Sequence, residues 1–324
     1  MALALSLVGC SRSAPTRAAP AFEMPQDVHA SWRTAVDRDH PLVGRIWDCR
    51  RRTFVDPEMV WQRLRGARMV LLGEKHDNPD HHRLQASALG AIVTAGRHPA
   101  VAFEMFDTDQ QAAIDQYRAR PSAPADGLGK ATGWQATGWP SFETYLPIVQ
   151  VAFESRLPIV AANLPKKKVH AMVHGGPSAL GADAGALGID RPFPADLQAS
   201  LEKELAASHC GSLPEAVLGP MALAQHARDA LMARALIDAD VGQGAVLIAG
   251  AGHVRQDRGV PYYLRQRKPG LSVTSLAFLE VVRGANEPVS YAEVLGAAEL
   301  PFDFVWFTPA DNDADPCAAF TKKK

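Results

Sequence analysis

Four short stretches of the chain are apolar apart from the leading Arg68 of the first: RMVLL at 68–72, AVAF at 100–103, LPIVAA at 157–162 and AVLIA at 245–249. None alternates with polar residues as a half-solvated strand does, and each is too short for a buried helix. They predict strands covered on both faces, as in a parallel sheet. Between them the apolar positions recur every three or four residues. Asn78 and Pro79 supply an N-cap and a first-turn proline for a helix running to about Ala95. Thr108 with Gln111 reads as the capping box of the next helix, and residues 141–155 and 214–238 carry the same helical spacing. The runs SVTSLAFLEVV (272–282) and DFVWFT (303–308) extend the sheet. Strand and helix in alternation predict an α/β fold, a three-layer domain whose central, mostly parallel sheet is flanked by helices. Residues 164–240 lack a strand-like run and read as a helical insertion, with 175–190 as its flexible part. Residues 120–140, rich in Gly, Pro and Ala, read as a long surface loop.

The ends of the chain follow another pattern. MALALSLVGC is apolar and is followed by a Ser/Pro/Ala/Arg stretch that cannot build a core. The apolar run is far shorter than the roughly 20 residues of a spanning helix and fits the apolar region of an export signal. Leu7-Val8-Gly9-Cys10 resembles the lipobox of bacterial lipoproteins, although no Lys or Arg follows Met1. That resemblance implies a lipid on Cys10, a membrane-anchored protein and a location in the bacterial cell envelope. The expected organisation is a signal and flexible linker over 1–40, one α/β domain over 41–310 and a loose tail over 311–324.

Composition adds mainly exclusions. With 324 residues, 47% hydrophobic and 21% charged, the chain is ordinary for a globular protein. A formal net charge of -1 leaves no electrostatic footprint for nucleic acid. Beyond Cys10 there are three cysteines, Cys49, Cys210 and Cys317, without a C-x-x-C pair. One disulfide at most can form among them, and a zinc knuckle is not indicated.

Candidate chemistry gathers where the buried runs stop. RMVLL is followed by Gly73, Glu74, Lys75, His76 and Asp77; AVAF by Glu104; LPIVAA by Asn163; AVLIA by Gly250, Ala251, Gly252 and His253. A parallel sheet brings the carboxyl ends of its strands to one edge, where open α/β folds bind ligands. Two imidazoles, two carboxylates and an amide are therefore expected on one rim. His76 and His253 are candidate ligands of a divalent metal, with Glu74 and Glu104 as candidate acid–base groups. Gly73, Gly250 and Gly252 allow close backbone approach. Asp77, His81 and Asn163 are candidates to line the site, His82 less so. Each residue taken singly has a plainer explanation as a turn, a cap or a satisfied core group. The case rests on four strand ends carrying the same chemistry. G-x-S-x-G, Walker A and dinucleotide glycine patterns are absent.

The stretches LLGEKHDNPDHHRLQ, VAFEMFDTDQQ, GWPSFETYLPIVQVAFESRLPIVAANLP, QHARDALMARAL, LIAGAGHVRQDRGVPYYL and FDFVWFTP resemble the ChaN-like haem-binding lipoproteins of the Tiki superfamily, related to TraB-type proteins and erythromycin esterases. The resemblance covers most of residues 40–308. It implies a haem- or iron-binding envelope lipoprotein acting in haem or iron uptake, with haem as cofactor and a homodimer as partner state. Two G-x-x-H motifs, Gly73–His76 and Gly250–His253, match the superfamily pattern, which equally implies a metal-dependent hydrolase as the alternative. The family's tyrosine ligand to haem has no residue-by-residue counterpart here. His209 and His226 in the insertion are the substitute candidates, with His174 and Met221 behind them; Tyr262 and Tyr263 follow the second G-x-x-H and could line the rim.

Overall fold

The computed structural model describes residues 32–315 together with Cys317 and Ala318; Cys10 and the candidate lipobox lie outside the described residues. The expected strands all form: β3 (Met69–Glu74), β4 (Ala100–Asp107), β5 (Ile159–Asn163), β6 (Ala245–Gly250), β7 (Val273–Glu280) and β8 (Phe304–Thr308). Two further strands precede them, β1 (Ile46–Asp48) and β2 (Thr53–Val55). At three residues each, they are too short to leave a pattern in the sequence. The sheet runs β2-β1-β8-β7-β3-β6-β4-β5. Its six strands from β8 to β5 pair in parallel, and the β1–β2 hairpin closes the β8 edge antiparallel.

The helices are α1 (Pro57–Gly66), α2 (Pro79–Thr94), α3 (Gln111–Arg118), α4 (Gly127–Ala131), α5 (Phe142–Glu154), α6 (Lys166–Gly175), α7 (Ala182–Leu187), α8 (Ala195–Ser208), α9 (Glu215–Ala239), α10 (Gly259–Arg267) and α11 (Ser290–Val294). Successive residues of a strand face opposite ways, and the core divides accordingly. Val70 and Leu72 join a cluster built with α1, α2 and α5. Met69 and Leu71 join a second cluster with α6, α9 and α10. This is the three-layer arrangement, with the apolar runs buried on both faces. As expected, Asn78 caps α2, its side chain accepting from the Asp80 amide at 3.0 Å.

Several boundaries differ from the sequence expectation. The capping box is made one residue earlier, by Asp107 and Gln110, because β4 continues to Asp107 before the chain turns. Residues 120–140 are not a bare loop. They hold α4 and a 3₁₀ turn at Trp134–Ala136, anchored by Trp134, whose ring meets Phe106, Phe142 and Tyr145. In 175–190, Leu180, Ala184, Leu187 and Ile189 are buried, so this glycine-rich stretch packs on the domain. Part of the supposed linker is docked as well: the Thr34 amide and hydroxyl and the Arg33 amide all donate to the Asp80 carboxylate. The tail is tied down at Cys317, which forms a disulfide with Cys210 across 107 residues. Among the described residues, no helix is long and apolar enough to cross a membrane.

Candidate functional site

The strand ends meet as expected, through a continuous chain of carboxylates and rings. Glu74, the last residue of β3, is buried, and its Oε1 takes a hydrogen bond from Tyr145 at 2.8 Å and lies 2.9 Å from His76 Nδ1. His76 Nε2 is 3.8 Å from Glu104 Oε2. The other oxygen of Glu104 is 3.2 Å from His253 Nε2 and also accepts from Arg228. His253 Nδ1 then contacts Asp229 Oδ1 at 2.5 Å. Glu104 stands where the β4–β5 register shifts after Phe103; such an irregularity re-aims a side chain at a strand end. Its Oε2 is held by the Gly250 amide at 2.7 Å.

Two glycines make this approach possible. A Cβ at Gly250 would lie 3.0 Å from His76 Nε2, and one at Gly73 only 2.3 Å from Val254 Cγ2. Gly252 faces Glu204 instead, so it supports the loop and not the relay. Asn163 acts as a positioning residue: its Oδ1 accepts from Arg228 Nε at 2.9 Å and from the Leu164 amide. Asp77 is exposed on the turn.

His81 departs from expectation. It is fully buried, with Nδ1 accepting from the Lys75 amide at 2.9 Å and Nε2 at 2.8 Å from the Thr308 hydroxyl. It stitches the β3–α2 turn to β8. Burial holds its pKa well below that of a free imidazole, so it stays neutral. His82, ranked behind it, is the nearer of the two: its Nδ1 lies 3.5 Å from Glu74 Oε2, and Nε2 donates to the His76 carbonyl at 3.0 Å.

The sequence reading missed Tyr145, Gln225, Arg228 and Asp229. The last three stand in the quoted stretch QHARDALMARAL. Spaced i, i+3 and i+4, they share one face of α9; an arginine and an aspartate on a helix otherwise rich in Ala, Leu and Met were the available signal. Tyr145 gave none, being one of several aromatics on an apolar helix.

Electrostatics favour a closed ion-pair relay. Burial by itself would raise the Glu104 pKa, but His253 and Arg228 outweigh it and hold the carboxyl well below its usual range. Glu74 is likewise lowered against its burial, by His82 and His76. Burial would lower His253, yet Glu104 and Asp229 push it up to about 9; His76 is raised in the same way by Glu74 and Glu104. A carboxylate with depressed proton affinity is a weak general base. Nor do the donors suit a divalent metal. Both nitrogens of His253 are engaged, and Arg228 supplies the positive charge beside Glu104. Among the described residues, no three His, Cys, Asp or Glu side chains form a metal-binding group.

Solvent reaches the relay at His76, whose side chain is 28% exposed and is covered by Trp139 at 4.7 Å between ring centroids. A crevice of about 250 Å³ opens alongside, lined by Trp139, Asn163, Asp107 and Lys166 among others. A larger cavity, about 690 Å³, lies apart from it in the helical insertion. Phe193, Leu223, His226, Tyr262, Tyr263 and Arg267 contribute to its wall. His226 and Tyr262 therefore belong to this cavity, and neither is part of the relay. His226 Nε2 pairs with Gln198 Oε1 at 3.2 Å, whereas its buried Nδ1 has no hydrogen-bond partner. His209 ends α8 beside the disulfide, its Nδ1 2.8 Å from the Leu205 carbonyl, and is not among the residues lining the cavity.

Fold and site together define a three-layer α/β protein with two G-x-x-H strand ends joined by buried carboxylates, and a cavity-bearing helical insertion. Residues 60–264 match the family described as haem-binding uptake, Tiki superfamily, ChaN, and the chain belongs to that family. The structure is similar to that of ChaN of Campylobacter jejuni, described with cofacial haem binding, at 19% identity and a TM-score of 0.62, over 81% of this chain and 95% of that one. More remote likenesses include an erythromycin esterase in its open conformation, with 13% identity, a TM-score of 0.43, and 80% and 95% coverage. A succinoglycan biosynthesis protein matches at 9% identity with a TM-score of 0.39, over 69% of each chain. No curated protein matches this chain.

Proposed function

We propose that this protein binds haem in the cavity of its helical insertion. One observation carries the reading: a cavity of about 690 Å³ walled by Phe193, Tyr262 and Leu223 also has the His226 ring in its lining, and the buried Nδ1 of that ring has no hydrogen-bond partner. That size suits a flat organic cofactor. Burial lowers the His226 pKa to about 4, so the ring is neutral at physiological pH, and a turn of the ring toward the cavity would present its lone pair to iron. The Gln198 contact at Nε2 leaves that lone pair on Nδ1. Burial raises the Tyr263 pKa and keeps its hydroxyl protonated; Tyr262 lines the same wall. Arg267 at the wall offers a guanidinium for a haem carboxylate. Bound haem would supply an iron centre and a coloured macrocycle; the chain's own part is to ligate, orient and shield it.

Family membership supports an uptake role, and the resemblance extends it to a homodimer and to anchoring through Cys10. The Cys210–Cys317 disulfide supports an exported protein, since such bridges persist in oxidising compartments. The hydrolase alternative needs Glu74 or Glu104 as a base, and both have weakened proton affinity. Titration with haemin should give a shifted Soret band at one equivalent per chain. His226→Ala combined with Tyr262→Phe should abolish the shift. An unchanged Soret shift in the double variant would move haem out of this cavity, and no shift in the parent protein would end the reading.

A further inference from the structure

A pair of histidines outside both sites has a geometry of its own. His170 and His174 stand one turn apart on the exposed surface of α6, with ring centroids 4.3 Å apart and an interplanar angle of 31°. His174 Nδ1 lies 2.9 Å from the His170 carbonyl. A carbonyl can only accept, so that nitrogen carries the proton and donates. The lone pair of His174 is thereby placed on Nε2, the arrangement in which a hydrogen bond at one ring nitrogen readies the other as a metal ligand.

We infer that His170 and His174 form a two-imidazole chelate for a divalent transition-metal ion. Two histidines at i and i+4 on one helix face bring their outer nitrogens to a single ion, as in helical zinc sites. Imidazole suits nickel, copper and zinc, and water oxygens fill the remaining positions. Local charge permits a cation there despite the Lys166–Lys168 run. Lys166 is drawn to the Thr137 carbonyl and Lys168 to Asp183 at 3.1 Å. His174 lies in the last turn of α6, where the helix dipole favours positive charge. The pair does not suit haem. Haem iron takes protein ligands at its axial positions, on opposite faces of the macrocycle, whereas two rings side by side on one turn offer adjacent positions.

The test is calorimetric titration of the untagged full chain with nickel ions, alongside a His170→Ala/His174→Ala variant and each single variant. Both side chains are exposed, so the fold should survive, and the haemin spectrum provides an independent check on it. The pair should bind one nickel ion, the double variant should lose that site, and each single variant should bind at least about tenfold more weakly through loss of the chelate. With copper, electron paramagnetic resonance should report two nitrogen donors in the parent and fewer in the single variants. A double variant that binds nickel like the parent, or single variants within twofold of it, would overturn the inference.

Discussion

Glu104→Gln tests the relay most directly. The carboxylate is buried and meets Arg228, the Gly250 amide at 2.7 Å and His253 at 3.2 Å, with His76 farther off at 3.8 Å. The amide keeps the shape and can still accept from Gly250, but Arg228 and His253 then face each other without the charge between them. Breaking a buried pair from one side costs about 3–5 kcal/mol, which for a domain of this size lowers the melting temperature by roughly 10 °C. The loss should depend on pH in a definite sense. His253 is raised from 6.5 to about 9 by Glu104 and Asp229 against its burial. A group raised in the folded state contributes stability that is complete below pH 6.5 and disappears as pH climbs through 9. The full effect is on the order of 3 kcal/mol. The variant should therefore differ most from the parent at pH 6, and the difference should narrow by pH 9.5 to what the Arg228 contact alone contributes. Melting temperatures of both proteins across pH 6–9.5 measure this. A variant within about 1 kcal/mol of the parent throughout, or a difference that widens with pH, would refute the assignment of His253 as the imidazolium between two carboxylates.

Other outcomes follow from the same contacts. Gly73→Ala sets a Cβ 2.3 Å from Val254 Cγ2 and 3.1 Å from the Ala251 backbone, so thermal denaturation should show a loss of about 1–3 kcal/mol. His81→Ala removes two buried hydrogen bonds; it should cost about 2 kcal/mol and leave haemin binding unchanged, and a lost Soret shift would return His81 to the functional site. Cys210→Ser opens a loop of 107 residues and should lower stability by about 4–5 kcal/mol on the chain-entropy account, with reduction of the parent giving the same melting temperature. Tyr145→Phe deletes the hydroxyl that donates to Glu74 and should destabilise by about 1–2 kcal/mol, read by urea denaturation.

What the sequence by itself determined was the sheet and its rim. Fully apolar runs of four to six residues can be satisfied only by cover on both faces, so β3, β4, β5 and β6 could be read directly, and with them the convergence of Glu74, His76, Glu104 and His253. The parallel register Glu74 opposite Gly250 realises that convergence. Choices between neighbours needed the fold. His81 and His82 are adjacent on one helix turn, and packing against Thr308 or Glu74 decides which role each takes. On α9 the sequence drew attention to His226, yet helical rotation turns Gln225, Arg228 and Asp229 to the relay and leaves His226 in the cavity beside Phe193. Helix and strand pattern is a local property of the chain, written in its spacing. Which side chains share a charge, and which cysteine in the tail meets one 107 residues earlier, depends on distances closed only when separate elements pack together.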